Sequence, residues 1–248
     1  MRQLLTLCAL NLWLTTLPAS AIELNTLEWP PYTGAGLPGQ GVNIELIRQA
    51  LMSQGQPLKV NFMPWNRAIT SAQTLSAQTG YFPVYRSQGA SCNYSESLGT
   101  SLLVMAQRQD SVLSWNSIDD LADYKIGVVS GYNNSPEFDQ KVSEGKLQVE
   151  KAASDRLNLL KLLYRRIDFA VIDSEVMAHW LENDPELRQS PTALTYHPMP
   201  LAELTLHVCF VSGPEANHAR EVLNRGLKTL QAHNPQSQTE DGSGSAGK

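Results

Sequence analysis

An α/β fold built on parallel strands is the class this sequence predicts, and three observations predict it. Two short apolar runs each end in polar residues: KIGVVSGYNN (Lys125 to Asn134) leads into Ser-Gly-Tyr-Asn-Asn, and RIDFAVIDSEV (Arg166 to Val176) carries Phe169 to Ile172 into Asp173. A helix-like stretch separates them. The order strand, helix, strand brings both polar ends to one edge of a parallel sheet, where open α/β sheets bind small ligands. The rest of the chain repeats the alternation. At 248 residues, 42% of them hydrophobic and 17% charged, the chain can bury one large core or two modest ones.

The elements follow in order. Met1 and Arg2 precede a mostly apolar run from Leu4 to Leu17, and Pro18-Ala19-Ser20-Ala21 supplies small residues at the two positions a signal peptidase reads. Residues 1–21 therefore read as a signal peptide, and the mature protein is expected in the periplasm. The run is shorter than the ~20 apolar residues a bilayer requires, and Asn11 interrupts it. Cys8 has no apolar stretch before it and does not fit a lipoprotein anchor. Ile22 to Leu27 reads as a strand, ended by Trp29-Pro30-Pro31-Tyr32 and by the glycines and proline from Gly34 to Gly41. Val42, Leu46, Ile47, Ala50 and Leu51 share one face at helical spacing. Leu58 to Met63 reads as a strand, Trp65 to Leu75 as a helix, and Tyr81 to Tyr85 and Ser101 to Ala106 as strands.

Ser117 or Asp119 caps a short turn before the Lys125 strand, and Asp119-Asp120 is a cap and a solvated face rather than a cation site. Asn134 to Val142 is predicted helical and Leu147 to Val149 extended. Ser154 is the predicted N-cap of a helix reaching Tyr164, and Ser174 to Leu181 is helical again. Asp184 to Pro200 holds four prolines and little periodicity, and reads as an irregular passage back across the molecule. Leu204 to Val211 is a strand; Ala216, Ala219, Val222, Leu223, Leu227 and Leu230 line one face of a last helix. Residues 234–248 read as a flexible polar tail.

Composition excludes several functions. The net charge is −5 and lysines and arginines form no cluster, so nothing supports a nucleic-acid surface, and small molecules or proteins are the expected partners. GVVSG is not a G-x-S-x-G elbow, because Ser130 has Gly131 directly after it and no glycine two residues before. His179, His197, His207, His218 and His233 sit in no catalytic motif, and with Cys92 and Cys209 they show no metal-ligand spacing. No cofactor or metal is expected. In an oxidising compartment Cys92 and Cys209 are disulfide candidates, the alternative being two buried thiols.

Several motifs in this order resemble the extracytoplasmic solute-binding proteins of family 3, the type that serves amino-acid ABC importers. They are a first strand running into an aromatic and Pro-Pro-Tyr, Gly41 to Leu46 opening a helix, Pro64-Trp65, Tyr94-Ser95, Asp119-Asp120-Leu121 before KIGVVSG, and RIDFAVID. The resemblance covers Ile22 to about Leu230. It implies the type II periplasmic-binding-protein fold, in which two parallel-rich sheets form two lobes joined by a two-strand hinge. Lobe 1 would hold residues 22–93 and 207–233, and lobe 2 residues 98–202. A monomer is implied, read by an ABC-transporter permease or a sensor kinase. Cys92 would lie just before the first crossing and Cys209 just after the second, near enough in lobe 1 to bridge.

Residue by residue, the resemblance places Trp29 where an aromatic ring stacks on the ligand, with Tyr32 beside it; sealing the turn under Pro30 and Pro31 is their alternative role. Tyr132 and Asn133 would offer side chains and backbone N–H groups at a helix N-terminus, a setting that suits an anion. Asp173 matches the carboxylate that receives the ligand's amino group, and capping the following helix is its rival use. The departure concerns the arginine that clamps an α-carboxylate. Its place falls near Gln88, which cannot form a charged bidentate pair. Arg86, after Tyr85 in GYFPVYRSQG, is the substitute, and Arg67 after Trp65 a second cation. A solute without an α-carboxylate is the other way to read that change. The expected function is binding of a small polar solute, with an exported dehydratase using Glu28 and Asp173 as the enzymatic alternative.

Overall fold

The computed structural model describes residues 20–75, 78–86, 92–111 and 113–233. Most of the expected signal peptide, the tail and Gln88 lie outside the described residues. The strands are β1 (Ile22–Thr26), β2 (Leu58–Phe62), β3 (Gly80–Tyr85), β4 (Asn93–Tyr94), β5 (Gly99–Arg108), β6 (Lys125–Val129), β7 (Gln148–Ala152), β8 (Phe169–Asp173), β9 (Leu194–Tyr196) and β10 (Ala202–Phe210). The helices are α1 (Val42–Met52), α2 (Trp65–Thr74), α3 (Pro136–Ser143), α4 (Asp155–Leu163), α5 (Ser174–Asn183) and α6 (Pro214–His233).

Two parallel trios carry the fold. β2, β1 and β3 lie side by side in parallel, as do β7, β6 and β8. The antiparallel pair β10 and β5 joins them, so hydrogen bonding runs without a break through the order β2-β1-β3-β10-β5-β8-β6-β7. β10 changes partners along its length: Ala202 to Leu206 pair with β5, while Leu206 to Phe210 pair with β3 and β4.

Local chemistry sets these elements. Central parallel strands are covered on both faces and favour continuous apolar runs; all five residues of β8 are buried accordingly. Ser117 and Asp120 form a capping box at the 3-10 helix before β6, and Ser135 and Ser154 cap α3 and α4. Each cap is worth about 1 kcal/mol. Around the first trio the core gathers Leu24, Ile47, Phe82, Phe210 and Leu223, continuous with Val104, Leu159, Ile172 and Val176 of the second. A separate cluster of Met105, Trp115, Ile126, Phe138 and Phe169 fills the other face of the second trio.

The passage from Asp184 to Pro200 is more regular than its prolines led us to expect. Arg156 holds Asp184 at 2.5 Å, and Asp184 accepts the N–H groups of Glu186 and Leu187, starting a 3-10 turn at Leu187–Gln189. β9 then pairs antiparallel with β5, Tyr196 opposite Ala106. The strand expected at Leu147 to Val149 is β7, which lies further along at Gln148–Ala152. Cys92 and Cys209 are joined in a disulfide, their Cα atoms 5.4 Å apart across a separation of 117 residues.

Candidate functional site

Parallel pairing decides where the polar ends meet. The C-terminal ends of β6, β7 and β8 lead to Ser130-Gly131-Tyr132-Asn133, to Ser154-Asp155, and to Asp173. The first trio presents the loop after β1, with Trp29 and Tyr32, and Tyr85 at the end of β3. A cleft of about 710 Å³, its open mouth included, lies among these ends. Leu27, Ile69, Pro83, Val84 and Leu206 give it apolar walls; Trp29, Trp65, Tyr81, Tyr85, Tyr94 and Tyr132 give it aromatic ones.

Trp29 organises the aromatic group. Its ring stacks on Tyr32 at 4.7 Å between centroids and meets the edges of Tyr85 and Tyr132 at 6.4 and 6.5 Å. The loop that carries it is closed by hydrogen bonds between Trp29 and Thr33 in both directions. Trp65, at the start of α2, donates its indole N–H to the Gly131 carbonyl at 3.1 Å, bridging the cleft. Gly131 has φ +85°, a backbone conformation that favours glycine, and any Cβ there would also displace the Asn66 side chain.

Asp173 serves two elements at once. Its Oδ1 accepts the N–H groups of Glu175 and Val176, both at 2.9 Å, and so caps α5. Its Oδ2 accepts from the Tyr32 hydroxyl at 3.1 Å and from the Ser101 hydroxyl, which also contacts Tyr85 at 2.9 Å. Burial raises the Asp173 pKa against these hydrogen bonds. The two oxygens thus divide their work, one capping α5 and the other held by hydroxyls, and Asp173 itself is not among the residues lining the cleft.

Asp155, first residue of α4, was absent from the sequence-derived set. It is buried, and burial pushes its pKa up to about 7, with the negative charge of Asp173 adding to the rise. Its own backbone N–H, the Trp29 indole and the Tyr132 hydroxyl oppose that rise. The Trp29 N–H is turned toward Asp155 yet makes no hydrogen bond of ordinary geometry. Burial likewise raises the pKa of Tyr32, Tyr85 and Tyr132, keeping all three hydroxyls protonated.

The other candidates are exposed. Arg67 is exposed on α2 and is not among the residues lining the cleft. Arg86 is exposed, its guanidinium 5.7 Å from the centre of the Tyr94 ring. Asn133 lines the cleft from an exposed position. The helix expected to begin at Asn134 begins at Pro136; Ser135 caps it, and Asp139 occupies the Asn134 N–H at 2.8 Å. Tyr132 and Asn133 thus stand outside that helix terminus. Glu28 accepts from the Ala35 N–H in its own loop at 3.1 Å. Among the described residues, no three His, Cys, Asp or Glu side chains come together to hold a metal.

No protein-family model and no curated protein matches the chain. Solved structures do. A histidine kinase sensor domain described as similar to periplasmic binding proteins superposes with a TM-score of 0.74 at 15% identity, covering 89% of this chain and 94% of that one. An ancestral arginine-binding protein bound to arginine gives 0.71 at 15% identity, covering 90% and 97%. The GluR0 ligand-binding core from Nostoc punctiforme, in complex with L-glutamate, gives 0.69 at 18% identity, covering 87% and 96%. These likenesses establish the architecture, that of two-lobed periplasmic-binding-protein-like domains.

Proposed function

We propose that the chain is an extracytoplasmic solute-binding protein of the family 3 type, which takes a small polar solute into the cleft. The reading rests on one observation: the ligand-binding edges of two parallel trios converge on a single cleft lined by Trp29, Trp65, Tyr85 and Tyr132, with Asp155 and Asp173 behind them. The binding of arginine and glutamate by proteins of the same architecture supports it. Lobe 1 comprises residues 22–93 and 207–233, lobe 2 residues 98–202, and β5 and β10 are the hinge. A solute that touches both lobes only when they close shifts the open–closed equilibrium by its differential affinity. A permease or a sensor kinase reads the closed form in the periplasm, after removal of residues 1–21.

A thermal-shift screen of amino acids, amines, small acids and sugars tests this, since a ligand at 100 times its Kd adds about 2.7 kcal/mol. Trp29→Ala and Asp173→Asn should each weaken the binding found while leaving the fold intact. Breaking a buried charged hydrogen bond costs ~2 to 5 kcal/mol, so Asp173→Asn should reduce affinity by at least about thirtyfold. Full affinity in both variants would place the ligand elsewhere. Turnover of a cyclic acid by the purified protein would instead favour the dehydratase reading.

A further inference from the structure

Five of the rings that line the cleft form an unbroken row. Tyr85 meets Trp29, Trp29 meets Tyr132, Tyr132 meets Trp65, and Trp65 meets Tyr81, at centroid distances of 6.4, 6.5, 6.3 and 5.7 Å. Every junction is edge-to-face, with interplanar angles of 77°, 84°, 86° and 73°. Trp29 comes from the loop after β1, Trp65 from α2, and Tyr81 and Tyr85 from β3. Tyr132, from the loop after β6, stands between the two indoles and carries the row from one parallel trio to the other.

Rings set nearly at right angles present both faces and edges to a body laid among them. Offset stacking and edge-to-face contact are the arrangements that aromatic pairs prefer, so a flat ring finds both here, whereas a saturated body of equal size gains only contact area.

The lining is also without charge. Among the described residues no aspartate, glutamate, lysine, arginine or histidine lines the cleft, and its polar side-chain groups are the Asn133 amide, the tyrosine hydroxyls and the indole N–H groups. Asp173 lies outside the lining, its oxygens engaged by two backbone N–H groups and two hydroxyls. Arg86 is also outside it, exposed, with its guanidinium 5.7 Å from the centre of the Tyr94 ring. A zwitterion seated among the five rings would give up the hydration of an ammonium and a carboxylate with no lining counter-charge for either. A hydroxyl gives up far less and finds neutral partners, the Asn133 amide offering both donor and acceptor.

We propose that the cleft selects a small aromatic solute without ionised groups, a phenol or an aryl alcohol, whose ring packs into the row centred on Tyr132 and whose hydroxyl is met by neutral side chains. The inference rests on the solute-binding reading and narrows its solute.

Isothermal titration of the full chain with matched pairs tests it: phenol and cyclohexanol, p-cresol and 4-methylcyclohexanol, benzyl alcohol and cyclohexylmethanol, with tyrosine, phenylalanine, 4-hydroxybenzoate, glutamate, arginine and glucose alongside. At least one aromatic alcohol should bind ten or more times tighter than its saturated partner and than every charged compound in the set. Tyr132→Leu should lose that binding by at least tenfold, and Tyr132→Phe, which keeps the ring, should recover most of the loss. The pair preference is measured on the unaltered protein and stands even if a variant misfolds. Saturated partners binding as well as the aromatic alcohols, tyrosine or phenylalanine binding as well as they do, or only glutamate, arginine or glucose binding, overturns the inference and leaves cleft binding standing. Full affinity in a folded Tyr132→Leu overturns it too, as does tightest binding of 4-hydroxybenzoate that is lost in Arg86→Ala, which would give the recognition to Arg86. If nothing in the set binds, both readings fall.

Discussion

Asp155 carries the largest electrostatic cost visible at the scale of single residues. Its pKa in the folded chain is raised to about 7, against 3.8 for a free aspartate. Between those values the folded protein holds a proton that the unfolded chain releases, so stability falls as pH rises from about 4 to about 7 and stays lower above that. Tyr132, Tyr85 and Asp173 are the titratable groups facing it. The tyrosines remain neutral through this window, and the buried Asp173, also raised, adds a penalty of the same sign. Asp155→Asn should therefore stabilise the ligand-free protein at pH 8 by up to roughly 3 to 4 kcal/mol and flatten the pH dependence. Urea unfolding at pH 5 and pH 8 measures it; an unchanged slope would show that Asp155 is ionised at no net cost. Asp173 was legible in the sequence because it ends an apolar strand. Asp155 was not: it follows Ser154, whose capping role accounted for the position, and only the parallel register of β7 and β6 brings that corner to the cleft.

Elements whose signal is periodic were legible, and those fixed by long-range partners were not. α1 and α6 were read from their apolar faces, and β6 and β8 from uninterrupted apolar runs. β9 has three residues in a proline-laced segment, and only its pairing with β5 makes it a strand. Arg86 was picked out by its distance from Tyr94-Ser95, and its guanidinium lies over the ring of Tyr94, which lines the cleft. The packing of α1 on α6 gives a test at this scale. Gly226 lets the two helices approach so closely that a Cβ would collide with the Ala50 carbonyl, which is backbone and cannot swing aside. Gly226→Ala gains helix propensity of about 1 kcal/mol, but the forced separation of two packed helices typically costs 1–3 kcal/mol. A net loss is therefore expected in chemical denaturation, with β10 and the cleft unaffected in ligand titrations. A gain in stability would mean that α6 shifts freely.

Over the whole molecule, the chain passes between the parallel trios along β5 and returns along β10, so everything from Leu98 to Ala202 forms one long excursion. The Cys92–Cys209 bridge closes that excursion near its base, where β10 pairs with β4 and β3. In the folded protein the bridge adds little, because Cys209 is already held by strand pairing on both sides. In the unfolded chain it ties together positions 117 residues apart. The chain-entropy model sets that restraint at roughly 4 to 5 kcal/mol, an upper figure because real unfolded chains retain some structure. Cys92→Ser combined with Cys209→Ser should accordingly lower the unfolding free energy by about 2 to 5 kcal/mol while the folded protein keeps its circular dichroism spectrum at low temperature. Urea titrations of the variant, and of the unaltered protein with and without reductant, measure the same quantity by two routes. A loss under about 1 kcal/mol by both would mean that the unfolded chain is already compact, and the bridge would then matter only for the shape of the cleft that Cys92 lines.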